Sequence, residues 1–408
     1  MERVIEACAG LDVHRATVVA TVRCTGPGGK RVETTETFAT TAADLIVLRD
    51  WLGAHGVTHV ALESTGVYWK PVYYALEADC VVVLANARHV AQVPGRKTDV
   101  RDSAWLAQLL EHGLIRGSFV PPPPIRALRE LTRARTALIQ DRTRVINRLH
   151  KVLEDAGVKL ATVVSEVLGV SGRAMLEALV AGTTDPHVLA DLARGTLRRK
   201  LPALRAALVG RFQPHHALLV GQALAHVDHL EEMIATLSAD LTERLRPFAA
   251  TLTQLRTIPG VSERVAEVMV AEMGVDMTPF PSARHLASWA GVCPGQYESA
   301  GRRKGGKTRH GNRWLRGALH MSAQAVVRTK APSALGARYR RVLRHRGHAK
   351  ALRAVQHAQL VAAYYMLTRG MPYRELGPTF HDERAAERAK RRAIRLLELE
   401  GYRIMPAA

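Results

Sequence analysis

Acidic residues are in short supply. The 408-residue chain has 37 Asp and Glu against 58 Lys and Arg, a formal net charge of +21. Such an imbalance favours a polyanionic partner, nucleic acid first, through long-range attraction. Charge alone leaves open a ribosome-associated or simply soluble basic protein. Cysteine is also scarce: Cys8, Cys24, Cys80 and Cys293 lie far apart with no C-x-x-C spacing. This excludes the stapled framework of a small secreted domain and reads as reduced thiols in a cytoplasmic protein. Long apolar runs are missing too. None reaches the ~18–20 residues needed to span a bilayer, and the Met1 end, with Glu2 and Glu6, lacks a signal-peptide layout. A soluble, cytoplasmic protein with no membrane partner is expected.

What is present is enough apolar material for more than one core, at 47% of the composition. From Ile5 to Thr40, short apolar alternation broken by Gly26, Gly28 and Gly29 predicts a three-stranded β-meander. Leu45, Val47, Leu48 and Leu52 predict a helix over 41–54, followed by a buried strand at His59–Leu62, a short helix at Val72–Glu77 and a strand at Val81–Ala85. A meander followed by alternating helix and strand is the element order of an RNase H-like α/β domain, expected over 1–120. Pro121–Pro124 stops any helix and marks a domain boundary. Beyond it, Leu131, Leu138, Val145 and Val152 recur every seventh residue with Ile139, Ile146 and Leu153 beside them. Arg133, Arg135, Arg142, Arg144 and Arg148 take other faces, predicting an amphipathic helix with a basic side. Its apolar stripe serves either a coiled-coil dimer or burial in its own domain. The expected organisation is a helical connector over 121–250, an all-α C-terminal domain over 251–375 and a basic helical tail over 376–408.

Four acids stand out near the N-terminus. Asp12 lies inside the first predicted strand, Glu63 ends the His59–Leu62 strand, and Asp99 and Asp102 sit three apart in the first turn of a predicted helix. Acids at strand ends are costly without a cation or donor. Phosphodiester cleavage uses metal ions roughly 3.5–4 Å apart. Carboxylate oxygens suit Mg²⁺, with Mn²⁺ as the alternative. Each acid also has a plain structural reading: Asp99 as a helix cap with Asp102 on its dipole, Glu63 as a strand end, Asp12 paired with His14 or Arg15.

The C-terminal third carries the basic signal. Leu255–Ser262, with Pro259 and Gly260 at its centre and a helical Val265–Met273 after it, fits a helix-hairpin-helix that would meet a DNA phosphate without reading sequence. An ordinary packed helical pair is the alternative. Between Gln296 and Lys350 there are fifteen Lys or Arg and one acid, Glu298. The expected DNA contacts are Arg302, Arg303, Lys304, Lys307, Arg309, Arg313 and Arg316. Ser299 could attack phosphorus while its basic neighbours hold the non-bridging oxygens, although loop serines commonly serve as turn or cap residues. Tyr297 is a rival nucleophile that residue chemistry does not separate from Ser299.

Gly10-Leu11-Asp12-Val13-His14, Glu63-Ser64-Thr65-Gly66 with Tyr68-Trp69, and Lys97-Thr98-Asp99-Val100-Arg101-Asp102 resemble, in order, the motifs of the insertion-sequence 110 family of transposases. Ile258-Pro259-Gly260-Val261 and the stretch from Gly291-Val292-Cys293-Pro294 to Gly311-Asn312-Arg313-Trp314-Leu315-Arg316 are similar to that family's C-terminal domain. The resemblance implies a RuvC-like domain with a DEDD tetrad at Asp12, Glu63, Asp99 and Asp102, and a catalytic serine at Ser299. It implies a recombinase that moves its own element through a covalent phosphoserine link to DNA, in a composite active site across protomers of a dimer or tetramer. In some members an element-encoded RNA chooses the sites. One departure stands out: the family usually has glycine after the serine, where this chain has Ala300. Two other functions remain: a Holliday-junction-type metal-dependent endonuclease without a nucleophilic side chain, and a non-catalytic nucleic-acid-binding protein with structural acids.

Overall fold

The computed structural model describes residues 3–26, 29–64, 66–86, 90, 102–295, 297–305, 308, 310–329 and 331–402. The chain divides into two compact units, residues 1–120 and 121–408.

In the first unit, β1 (Cys8–Val13), β2 (Thr17–Thr25) and β3 (Arg31–Ala39) form an antiparallel meander. Then come α1 (Ala42–Ala54), β4 (His59–Glu63), α2 (Trp69–Leu76), β5 (Val81–Ala85) and α3 (Asp102–Glu111). The sheet order is β3-β2-β1-β4-β5, with β4 parallel to both β1 and β5. Alternation along β1 divides the core. Ala9, Leu11 and Val13 face Leu45, Leu48 and Leu52 of α1 and Val72 and Leu76 of α2. Cys8, with Ala61 and Ala85, faces Leu106, Leu109 and Leu110 of α3.

Two features seat α3. A Cβ at Gly10 would lie 2.0 Å from the Ser103 carbonyl oxygen and 2.4 Å from the Ala107 nitrogen, so only glycine lets the helix backbone rest on β1. At the other end, the buried Glu111 carboxylate meets Arg23 at 2.9 Å, Arg31 at 3.0 Å and Arg3 at 3.4 Å. These guanidiniums offset an acid placed against the helix dipole. The four cysteines are free thiols, and burial pushes the Cys8 thiol up to about 11.

The second unit is almost entirely helical. The long α4 (Pro123–Asp155) is followed by α5 (Val170–Val180), α6 (Pro186–Asp191), α7 (Leu201–Leu208) and the long α8 (Pro214–Leu245). α8 runs antiparallel to α4: Val145 packs on Val227 and Leu230, while Leu149 and Leu153 share a core with Val220 and Leu224. The heptad stripe of α4 is thus met at these positions within its own chain. Met175 and Leu176 of α5, Leu189 of α6 and Leu204 of α7 close over that end of the helical pair. The basic side expected of α4 is largely spent internally. Arg133 and Arg135 pair with the buried acids Glu272 and Glu267, and Arg142 pairs with Glu231 of α8.

The chain continues through α9 (Ala249–Arg256), α10 (Glu263–Met273), α11 (Ala283–Trp289), β6 (Tyr297–Ser299), β7 (Arg302–Gly305), α12 (Arg313–Arg328), α13 (Ala334–Arg346), α14 (His348–Arg369) and α15 (Phe380–Leu399). Among the described residues, no helix is long and apolar enough to cross a membrane.

Candidate active site and nucleic-acid interface

The parallel register of β1 and β4 pairs Leu11 with Leu62. Asp12 and Glu63 are the next residue on each strand, so they stand side by side at the carboxyl ends of adjacent strands. By alternation both lie on the face of Gly10 and Ala61, the face that α3 covers. Asp102 opens α3, immediately before the Ser103 carbonyl that rests on Gly10. Hydroxyls of Ser103 and Thr21, 2.8 Å apart, fix that first turn against β2.

Three of the four predicted acids therefore lie toward the carboxyl ends of the two central strands, all half-buried. The fourth, Asp99, lies outside the described residues. Asp12 Oδ2 is 3.1 Å from His14 Nε2, so the pairing with His14 read from the sequence is present. Among the described residues, Asp12, Glu63 and Asp102 do not form a set with all donor oxygens within 4.8 Å of one another. Their chemistry nevertheless fits a hard divalent ion: carboxylate oxygens on two strand ends and at the start of a helix whose backbone Gly10 allows to rest on β1.

A second cluster, Asp155, His215 and His216, does bring its donor atoms within 4.8 Å of one another. Its hydrogen bonds argue against a cation. His216 Nδ1 accepts the Gln213 N–H at 3.1 Å within the N-terminal cap of α8, which puts the imidazole proton on Nε2, 3.1 Å from Asp155 Oδ2. A metal needs the lone pair that this tautomer replaces with a proton. The cluster serves as a charge-assisted cap where α4 ends and α8 begins.

Ser299 is the last residue of β6, exposed at the tip of the β6–β7 hairpin and paired with Arg302. Ala300 has φ 50° and Gly301 φ 71°, so both central residues of the two-residue turn are left-handed, the geometry that matches the twist of a tight hairpin. Alanine therefore adopts the conformation that a glycine would take more cheaply. The backbones of Tyr297, Arg303 and Lys304 belong to this hairpin, but their side chains lie outside the description, as do Lys307 and Arg309 altogether.

The segment around Arg313 and Arg316 has a structural anchor. Asn312 caps α12 by accepting the N–H groups of Trp314 and Leu315, each at 3.0 Å. Its amide also donates to Glu272 of α10, an acid with no exposed surface. Glu272 receives both arms of Arg133, 2.7 Å each, and lies 3.4 Å from Arg129. The Arg313 guanidinium stacks 4.5 Å over the Trp314 ring.

The Pro259–Gly260 turn joins α9 to α10, and its inner side is occupied. Gly260 has φ 83°, and a Cβ there would lie 2.3 Å from the Ser322 carbonyl oxygen of α12. The Pro259 carbonyl accepts from Gln359 of α14 at 2.9 Å, and the Val261 N–H turns back to Ile258 at 3.0 Å. Packing on α12 thus accounts for the glycine, while α14 holds the Pro259 carbonyl.

Sequence reasoning missed the roles of Gly10, Glu272 and Asn312. The acids interrupting the apolar Val265–Met273 run, Glu267 and Glu272, were the available signal, because a carboxylate on a buried helix face requires a cation.

Acids at strand ends and, in the second unit, an excess of arginine and lysine suit an enzyme that processes DNA. A family model for DEDD transposases of insertion sequence IS110 matches residues 9–157, and a second, described as the transposase IS116/IS110/IS902 family, matches residues 252–340. The chain belongs to the IS110 family of insertion-sequence transposases. Similar proteins include the insertion element IS116 uncharacterized 44.8 kDa protein of Streptomyces clavuligerus, 26% identical over 62% of this chain and 70% of that protein. A probable family 20 transposase of Pseudomonas aeruginosa is 25% identical over 66% and 71%. The insertion element IS900 uncharacterized 42 kDa protein of Mycobacterium paratuberculosis is 27% identical over 70% and 78%.

Proposed function

We propose that this transposase cuts and rejoins DNA with a carboxylate-held divalent metal and a serine nucleophile. The observation that carries the reading is the placement of Asp12 and Glu63 on adjacent parallel strand ends, with Asp102 opening the helix that Gly10 admits onto β1. The strand order β3-β2-β1-β4-β5, a meander extended by parallel strands, supports an RNase H-like, RuvC-like assignment. Asp12, Glu63, Asp99 and Asp102 are the ligands. Mg²⁺ is the preferred ion, and when bound it supplies charge stabilisation at the phosphate and a lower pKa for the attacking hydroxyl.

Ser299 Oγ attacks the scissile phosphorus. The Oγ–P bond forms as the P–O bond to the leaving strand breaks, and the serine proton ends on the leaving strand's hydroxyl. In the second half a hydroxyl of the recipient strand attacks the phosphoserine, restoring the P–O bond and the serine hydroxyl. Bond energy is conserved, so no external energy source is needed. The exposed tip position gives Ser299 access to a backbone, and Arg302 opposite it can hold a non-bridging oxygen. Site choice by an element-encoded RNA, and work as a dimer or tetramer, rest on the family resemblance alone.

The test is a denaturing-gel assay for covalent protein–DNA adduct with element-end DNA, candidate element RNA and Mg²⁺. Wild type and Tyr297→Phe are expected to form adduct, and Ser299→Ala and Asp12→Asn to lose it. Cleavage without adduct that survives Ser299→Ala would sink the serine mechanism and favour metal-only hydrolysis by a junction nuclease.

A further inference from the structure

From Ser299 to Arg374 the chain contains no Asp or Glu. Helices α12, α13 and α14 lie wholly within that stretch and pack on one another without a carboxylate of their own. Three of their guanidiniums, those of Arg316, Arg338 and Arg353, are nevertheless partly withdrawn from water. Arg353 of α14 sits beside Arg316 of α12, and burial first, then that neighbouring charge, pulls its pKa down. Its Nη1 donates to Gln356 Oε1 at 2.7 Å, and Gln356 Nε2 lies 3.2 Å from Nδ1 of His320, one turn after Arg316. Gln356 is buried with both ends of its amide engaged, so it sets Arg353 and His320 relative to each other.

A second group adjoins on α13 and α14. Arg338 of α13 and His357 of α14 are half-buried on two helices that pack on each other, and burial first, then a neighbouring guanidinium, pulls the pKa of each down. Among the described residues, Arg316, Arg338 and Arg353 have no carboxylate partner. A partly desolvated guanidinium beside another cation is unfavourable unless an anion arrives.

We infer that these two groups, Arg316 and Arg353 with His320, and Arg338 with His357, each receive a backbone phosphate of duplex DNA. Guanidinium forks match phosphate oxygens in bidentate geometry, and the groups extend the basic surface beyond the Ser299 hairpin onto three packed helices. Gln356 is a positioning residue, holding two donors of one group. That the polyanion is DNA rests on the transposase reading, whereas the serine mechanism plays no part.

The experiment measures binding of the full-length protein to a mixed-sequence duplex by fluorescence anisotropy across a salt series, with thermal melting of each variant. Arg338→Gln combined with Arg353→Gln is compared with a charge-matched control, Arg244→Gln with Arg246→Gln, whose arginines are exposed and already paired with Asp240 and Glu243. The α13/α14 variant is expected to bind at least ~10-fold more weakly than the control. Its log K against log salt slope should flatten by roughly 2, one phosphate for each arginine, at an unchanged or raised melting temperature. Affinity and slope equal to the control's would overturn the inference. So would weakened binding with a lowered melting temperature, which would make these arginines structural. Loss of binding to polyglutamate with duplex binding intact would assign the surface to an acidic protein segment instead. Failure of the wild type to bind duplex at all would instead count against the transposase reading.

Discussion

The second unit holds two populations of arginine that composition alone does not distinguish. Arg129, Arg133 and Arg135 of α4 reach Glu272 and Glu267 of α10, acids whose side chains are almost wholly buried. Arg316, Arg338 and Arg353 lie on helices with no acid and face other cations. The first set is internally neutralised and holds α10 and, through Asn312, the start of α12 against α4. The second set has no carboxylate partner among the described residues. In a chain with net charge +21, the arginines without carboxylates are the ones that need an outside anion.

The comparison breaks most visibly at Glu272. Replacing it with Ala strands two guanidiniums and the Asn312 amide, and should cost about 3–5 kcal/mol, read as a large fall in melting temperature. Arg338→Gln should cost nothing measurable, so equal losses in the two variants would erase the distinction. Next is Gly260→Ala, where a left-handed φ and a clash with the Ser322 carbonyl together predict a loss of about 2–4 kcal/mol in denaturant unfolding. A neutral result would mean that the turn is not packed on α12. Gly10→Ala should cost about 1–3 kcal/mol, with adduct formation falling further than stability because α3 and Asp102 are pushed off β1. Stability and adduct falling in step would remove Gly10 from the account of the carboxylates. The smallest effect is a gain: Ala300→Gly relaxes the one described non-glycine residue at positive φ and should stabilise by about 1 kcal/mol while adduct formation persists.

Much of the first unit was legible because its strands are half-buried and alternate, and because α1 carries Leu45, Leu48 and Leu52 on one face. Asp12 and Glu63 were legible as acids in or ending apolar runs. That they stand level on neighbouring strands is a matter of register, which no local pattern encodes. The same limit applies to α4. Its apolar stripe was plain, but the partner helix begins 59 residues after α4 ends, at Pro214 after Asp155. Arg133 and Arg135 looked like a solvent face because their acids are 139 and 132 residues away. Pro259 and Gly260 read as a phosphate-facing hairpin from their local chemistry, whereas α12 and α14 surround the inner side of that turn. At Ala300 the only signal was the family's usual glycine, and the hairpin shows alanine taking the left-handed conformation in its place.

In the proposed reaction a side-chain hydroxyl at the hairpin tip becomes bonded to DNA in a step that depends on the carboxylates. The most direct measurement is fragmentation mass spectrometry of the nucleotide-bearing peptide recovered from a trapped protein–DNA adduct after nuclease and protease digestion. A phosphate-linked nucleotide is expected on Ser299 and absent from Asp12→Asn. Attachment at Tyr297, or an equal yield from Asp12→Asn, would contradict it.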